Sequence, residues 1–380
     1  MSDREPVPAI ILDSDIRSQE GILQSLGKKG IPIVALSSKE KCPAFQSKFV
    51  IDTIVTPDIN KNADEFIDFL YTLNVRGVLI YSNDVSAVTI SRRRDSLIQS
   101  GFLLNIPTSE TLENAFDKAT CAKLAQSIGI PFPKTQLIHS MHDALEVWDE
   151  FDKPVILKGT RMAGGNYVKI DHKSQLEEAY RIIKEKTRSK SYESRQSEIV
   201  LQEWLDYSMT DIWHCETVYN TNSQPMGFFS IKNIRTSFSE DGNFGSRLYA
   251  GEYVHSREVV ESTRKFLSTM SWNGFANLDY VYVPEQDQYY LLDVNPRLPG
   301  FSYFPSKAGY EMAWYYYADL TSQKYTYPDT FAKSFYFESF RYPGDISDGI
   351  KYIFKGYISL TSFMMSYIKG IFSPYKMIIE

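Results

Sequence analysis

Short apolar runs alternate with amphipathic stretches over the first hundred residues. "PAIILDSD" is a continuous apolar run that ends in polar residues and predicts a buried strand. "SQEGILQSLGKKG" carries helical spacing and stops at Gly30, "IPIVALSS" is a second strand, "ADEFIDFLYTLN" a second helix and "RGVLIYSND" a further strand. Strand and helix in alternation imply a parallel α/β layer. Such sheets bind ligands beyond the carboxyl ends of their strands. Asn83 and Asp84 stand at one such end, where they read equally as substrate-recognising groups or as a helix cap. The first strand-to-helix turn, "LDSDIRSQEG", lacks GxGxxG, which argues against a dinucleotide site.

The pattern changes at Ser109, which with Leu112 and Glu113 marks a helix N-terminus. "SETLENAFDKATCAKLAQSIGIPFPKT" predicts one helix stopped by Gly129 and Pro131. "PVILKGTRMAGGNYVKI" reads as strand, glycine loop and strand, and "SQLEEAYRIIKEK" as a helix. "EIVLQEWLD" is a strand entering a linker, and "DIWHCETVYN" and "PMGFFSIKNIRT" form an antiparallel pair around "TNSQ". "EVVESTRKFLSTMSW" is helical. The tail from about Asp345 is rich in Ile, Tyr, Phe and Met, and its longest uncharged run, 356–368, is too short to span a bilayer. It reads as a helix packed on the main domain or as an interfacial helix with Lys351, Lys355 and Lys369 near headgroups. The basic run Arg92, Arg93 and Arg94 reads as a solvated helix face.

"NLDYVYVPEQDQYYLLDVNPR" is the most informative segment. A hairpin closing symmetrically about Gln286 pairs Val283 with Tyr289 and sets Asp279 opposite Asp293. Side chains alternate faces along a strand, so Asp293, Asn295 and Asp279 share one face. Like charges directly opposed destabilise a sheet, and a hard divalent cation with oxygen ligands removes the conflict. A solvated polar face with a shifted register is the other reading. Arg297 lies two residues beyond Asn295, and its fork suits phosphate oxygens.

Composition narrows the chemistry. At 380 residues, 43% hydrophobic and 23% charged, the chain is an ordinary globular protein of two or three domains. A formal net charge of -6 argues against a nucleic-acid partner. Three separated cysteines and five histidines form no CxxC or HExxH pattern, so a metal would need oxygen ligands. With no basic leader and no long apolar run, a reducing cytoplasmic setting is expected.

Other residues become candidates by position. Lys158 ends the apolar strand "KPVILKG" and precedes a loop with Gly164 and Gly165. Glycines permit close backbone approach to anions, although an ordinary hairpin turn fits as well. Lys118 lies on a helix, and in "VLQEWLD" a strand exits to a loop whose backbone could read an adenine edge.

The order "DKATCAKLAQSIGIPFPKT", "PVILKGTRMAGG", "VLQEWLD", "GFANLDYVYV", "LLDVNPRLPG" resembles the ATP-grasp superfamily over most of the chain. Within it, the resemblance is to carboxylate–amine ligases of the carbamoyl-phosphate-synthase-like and D-aspartate-ligase-like kind. It implies an α/β and α+β protein: an N-terminal Rossmann-like parallel α/β domain (1–108), then a two-subdomain ATP-grasp fold (109–320, lid about 135–204), then a C-terminal helical tail (321–380). It implies that Lys118 and Lys158 bind ATP phosphates under the Gly164–Gly165 loop. Gln202, Glu203, Trp204 and Leu205 would hold adenine, and Asp211 the ribose. Asp279, Asp293 and Asn295 would hold one or two Mg²⁺, or Mn²⁺, and Arg297 would neutralise the transferred phosphoryl. Lys158 and Arg297 would be the catalytic pair. Lys232, Arg235 and Arg247 are further candidates for substrate or phosphate. Asp293 stands where the family usually has glutamate, one methylene longer.

The implied activity joins a carboxylate to an amine, such as an amino acid, through an acyl phosphate. The alternatives are an ATP-grasp phosphotransferase or carboxylase, or a nucleotide-binding protein with weakened catalysis. Small-molecule substrates are the expected partners. A homodimer through the α/β domain would fit the family.

Overall fold

A computed structural model of the chain describes residues 6–14, 17–161, 166–189, 197–238, 244–332, 334–337, 344–355, 358–372 and 375–376. The first sheet holds β1 (Ala9–Ile11), β2 (Ile33–Ser37), β3 (Val50–Val55) and β4 (Val78–Ile80), all parallel in the order β3-β2-β1-β4. β1, β2 and β4 are buried along their length, as expected for parallel strands covered by helices on both faces. β3 was not anticipated. It is an edge strand with a mostly exposed surface, Ile51 included, so it lacks the apolar run that marks its neighbours.

The predicted helix from Ser109 is two helices, Ser109–Phe116 and Lys118–Ser127. Asp117 breaks them, because its side chain accepts the Thr120 N–H at 2.9 Å and so caps the second. The first is capped by Thr108 rather than Ser109: the Thr108 hydroxyl accepts from Thr111 N at 3.2 Å. The expected solvated arginine face holds for Arg93, which is exposed, while Arg92 is half-buried. Arg92 pairs with Glu113 at 3.3 Å and Arg93 with Asp64 at 2.9 Å.

A four-stranded antiparallel sheet, order β5-β8-β6-β7, follows from β5 (Thr135–Ile138), β6 (Val155–Gly159), β7 (Tyr167–Ile170) and β8 (Ile199–Glu203). Its own core includes Leu157, Leu176, Ile183 and Leu201. The largest sheet comprises β9 (Ile212–Tyr219), β10 (Pro225–Phe238), β11 (Phe244–Tyr253), β12 (Gly274–Val283), β13 (Gln288–Asn295), β14 (Phe335–Phe337) and β15 (Tyr375–Lys376). Its order is β13-β12-β9-β10-β11-β14-β15. β11 was also unforeseen, since "FGSRLYAGEY" mixes glycine and charge into its alternation.

The tail therefore adds strands to this sheet as well as helices. Its helices, Gly344–Phe354 and Leu360–Ile371, are tied to β10 by Arg235. That buried guanidinium donates to both Asp345 oxygens, at 3.0 and 2.6 Å, and to the Ser366 hydroxyl. No helix among the described residues is long and apolar enough to cross a membrane.

One hydrophobic core joins the first sheet to the helices Tyr303–Lys307 and Met312–Leu320 and to Val218 and Phe229 of the large sheet. The Tyr316 hydroxyl donates to Leu79 O at 3.2 Å and accepts from Asn105 N at 2.9 Å. Buried phenols of this kind are expected to find partners.

Candidate active site

The β12–β13 hairpin brings Asp279 opposite Asp293 and Asn277 opposite Asn295. β9 extends both rows, with His214 opposite Asp279 and Glu216 opposite Asn277. Directly opposed residues share a face, so two polar rows cross three strands side by side. The anticipated acid pair is present, but the turn is not the anticipated one. Val283 faces Gln288 instead of Tyr289. A 3₁₀ turn at Pro284–Gln286, ending with Asp287 at φ 50°, shortens the connection. A bulge between Asp279 and Tyr280 then restores the pairing.

The acid pair is held by different partners. Asp279 accepts from Asn277 Nδ2 and Asn295 Nδ2, both at 3.0 Å, and lies 2.7 Å from His214 Nδ1. Burial works against its charge, but these hydrogen bonds outweigh it and lower its pKa. Asp293 accepts from Lys118 Nζ at 3.3 Å and from Val294 N at 3.1 Å. Lys118 is buried on the first turn of its helix, and its own N–H donates to Thr160 O at 3.0 Å.

Lys158, on β6, completes the cluster from the smaller sheet. Burial and then the Lys118 charge push its pKa down to about 7, while Asp293 opposes them. Arg297, just past β13, donates from Nε to Asp84 Oδ1 at 2.5 Å. Burial disfavours its charge, but Asp84, then Asp279 and Asp293, outweigh that and raise its pKa. Asp84 begins the helix after β4, while Asn83 caps it by accepting from Val85 N at 2.9 Å. The helix-cap reading of this pair therefore holds for Asn83, while Asp84 is the counter-ion of Arg297.

At the exit of β8, Gln202 is buried and donates to the Thr135 hydroxyl at 2.7 Å. Glu203 accepts from Lys134 N at 3.0 Å. Trp204 packs against Tyr167, ring centroids 5.9 Å apart, with Lys169 Nζ 4.4 Å from its ring. Leu205 is buried with Val281 and Val283. Asp211 accepts from the Ser208 N–H and hydroxyl at 2.8 and 2.6 Å, closing a capping box. Gly164 and Gly165 lie outside the described residues.

The weaker basic candidates do not join the cluster. Lys232 faces Trp213 across the β9–β10 ladder, which puts it on the sheet face opposite His214. Arg235 is consumed by Asp345. Arg247 lies on β11, where its N–H donates to the Ser237 hydroxyl at 3.2 Å.

Sequence reasoning missed four residues of the site. His214 and Glu216 are signalled only by the alternation in "IWHCETVYN", which the β9–β12 register converts into proximity. Asn277 needed the same register. Arg161, at the base of the glycine loop, lies 3.6 Å from Glu113 and 3.7 Å from Asp117, a contact between distant segments.

Glu216 is the unusual member. It is fully buried and neither carboxyl oxygen has a hydrogen-bond partner among the described residues; nor does Asn277 Oδ1. Burial, and then Asp279, raise its pKa well above the usual carboxylate range. Among the described residues no three acid, histidine or cysteine side chains are grouped as a complete metal site, so Asp279 and Asn295 offer a hard cation only part of its oxygen. With Asp293 the donors are carboxylates and an amide, the set Mg²⁺ uses when phosphates supply the remainder.

Residues 115–313 match the RimK-like ATP-grasp domain. The chain belongs to the ATP-grasp family. This ATP-grasp protein is 26% identical over 227 residues to a carbamoyl phosphate synthase large chain from Agathobacter rectalis, covering 57% of the chain and 20% of that relative. It thus spans about a fifth of that relative's length. D-aspartate ligase from Enterococcus faecium is 21% identical over 346 residues, covering 85% of the chain and 79% of the ligase. Among solved structures, the biotin carboxylase domain dimer of Hydrogenobacter thermophilus 2-oxoglutarate carboxylase, in complex with MgADP, ADP and bicarbonate, superposes with a TM-score of 0.69. That match is 12% identical and covers 87% of the chain and 74% of the carboxylase chain. At that identity it shows a shared ATP-grasp fold.

Proposed function

We propose that this ATP-grasp protein is a Mg-ATP-dependent ligase that activates a carboxylate as an acyl phosphate and joins it to an amine, such as an amino acid. The observation that carries this reading is the convergence of Lys118, Lys158 and Arg297 on the Asp279–Asp293 pair. Three basic side chains gathered with Asp84, Asp279 and Asp293 suit a polyphosphate and its metal better than a neutral substrate. The 85% coverage of the chain by D-aspartate ligase supports the amide-forming branch of the family.

In this reading Lys118 and Lys158 bind the phosphates. The strand exit from Gln202 to Leu205 holds the base, chiefly through its backbone, because the Glu203 and Trp204 side chains are engaged elsewhere. Asp211 reaches the ribose only with the oxygen that Ser208 leaves unused. Asp279, Asp293 and Asn295 would hold Mg²⁺, which when bound screens the phosphate charge and polarises the γ-phosphoryl group. Arg297, oriented by Asp84, neutralises the transferred phosphoryl. The substrate carboxylate attacks the γ-phosphorus, the bond to ADP breaks, and an amine then displaces phosphate from the acyl carbon. No protein nucleophile is required; positioning and charge neutralisation suffice. Three buried cysteines outside any disulfide suit a reducing, cytoplasmic setting.

The test is ADP release with Mg-ATP across a panel of carboxylates and amino acids, with hydroxylamine as a trap. A hydroxamate that forms with wild type and vanishes in Lys158→Ala and Asp293→Ala supports the ligase. ADP release that survives both substitutions overturns the site. ADP release without hydroxamate points to phosphotransfer.

A further inference from the structure

The whole chain carries a formal net charge of -6, yet residues 344–372 contain three lysines and only two acids. Both acids turn inward. Asp345 is buried against Arg235 and also accepts from the Tyr367 hydroxyl at 2.9 Å. Asp348 is buried, accepting from the Tyr249 hydroxyl and from Lys351, each at 3.2 Å. The exposed charged side chains of this segment are therefore lysines: Lys355, Lys369 and Lys351, the last also paired with Asp348.

The same two helices expose an unusual amount of apolar surface. Nine of the fourteen exposed large hydrophobic side chains among the described residues fall between 346 and 372. They form stripes at helical spacing, Ile346–Ile350–Phe354 on one helix and Leu360–Met364–Ile368 on the other, and Phe354 is 88% exposed. The helices cross closely at Gly349, where any Cβ would strike the Phe363 ring. Arg235 binds Asp345 of one and Ser366 of the other. The polar residues thus fix the inner faces to the large sheet, and the apolar stripes point away from it.

We propose that these two helices form a membrane-docking surface for an anionic lipid bilayer, lying in the headgroup plane. At 11 and 12 residues, each is roughly 17 Å long, too short to span and suited to lying flat. Apolar side chains enter the acyl boundary while the lysines extend to lipid phosphates. A second copy is the poorer occupant, since a two-fold contact through this face sets lysine against lysine. The surface is independent of the nucleotide chemistry.

The test is co-sedimentation of the full chain with phosphatidylcholine vesicles, with and without phosphatidylglycerol. Wild type is expected to sediment with the phosphatidylglycerol vesicles and weakly with neutral ones. F354E/M364E is expected to lose binding by more than tenfold, as about five-fold or greater losses multiply for each buried apolar group removed. K351Q/K355Q/K369Q is expected to weaken it by roughly five-fold per lysine. Unchanged thermal melting in both variants shows that the fold is intact. The proposal is overturned if wild type stays in the supernatant with anionic vesicles, or if F354E/M364E binds as well as wild type. It is also overturned if ultracentrifugation finds a dimer that F354E/M364E dissociates while wild type ignores vesicles.

Discussion

Lys118 Nζ lies 3.3 Å from Asp293 Oδ1, so a residue proposed to hold phosphate and one proposed to hold metal are each other's counter-ion. The Lys118 side chain is 6% exposed and that of Asp293 20%, so removing one partner leaves an enclosed charge. Lys118→Met and Asp293→Asn are each expected to lower stability. The double variant should recover part of the loss, with a coupling on the order of 1 kcal/mol in a thermal double-mutant cycle. Additive losses would show that the two side chains act independently. Lys118→Met should also weaken Mg-ATP binding by about tenfold or more.

Lys158 should make nucleotide binding depend on pH. Its folded pKa is lowered to about 7 from an ordinary 10.5 by burial and by Lys118. Above about pH 7 the folded chain holds this lysine neutral while the unfolded chain keeps it charged, so its contribution to stability rises with pH up to about 10.5. Phosphate beside it favours the charged form. Mg-ATP binding near pH 8 is therefore expected to take up protons. Calorimetry in buffers of different ionisation heats should show that uptake in wild type and a smaller one in Lys158→Met.

Glu216 has the opposite sign. Its folded pKa is raised by burial, so its contribution to stability is present below the ordinary carboxylate range and is lost as pH rises through the folded value. Glu216→Gln keeps the shape without the ionisation. Its melting temperature should exceed that of wild type by an amount that grows as pH rises above the ordinary carboxylate range. A constant difference over that rise would mean that Glu216 is already ionised in the folded chain.

Asp84 tests whether the first sheet orients the reacting end of the site. Asp84→Asn leaves the helix cap at Asn83 in place and removes the carboxylate charge that faces Arg297. ADP release should fall by roughly ten- to a hundredfold, with Mg-ATP affinity changed far less. Equal losses in kcat and in affinity would place Asp84 in nucleotide binding instead.

The sequence made the acid hairpin legible because two opposed aspartates conflict with strand propensity, and that conflict survives an error in the turn. The pairing of Asp279 with Asp293 is right although Val283 faces Gln288, since the bulge absorbs the residue that the turn gave up. The lysine of β6 was equally readable, from its place at the end of an apolar run. What could not be read depends on long-range pairing. β3 and β11 carry too little apolar alternation to stand out, and His214 and Glu216 become site residues only through the β9–β12 ladder. Arg235 shows the converse failure. A basic residue on a strand invites a phosphate reading, and only the fold reveals Asp345, 110 positions away, as its partner.

The shared core between the first sheet and the helix Met312–Leu320 bears on how this protein can move and be dissected. The family match stops at 313, just before Tyr315, Tyr316 and Tyr317. These pack into the same core as β1 and β4, and the Tyr317 hydroxyl donates to Val7 O at 2.5 Å. A fragment cut to the matched residues would shed those tyrosines together with β1 to β4, and so most of that shared core. The two regions therefore constitute one cooperative folding unit. The small sheet keeps a core of its own and stands outside that unit.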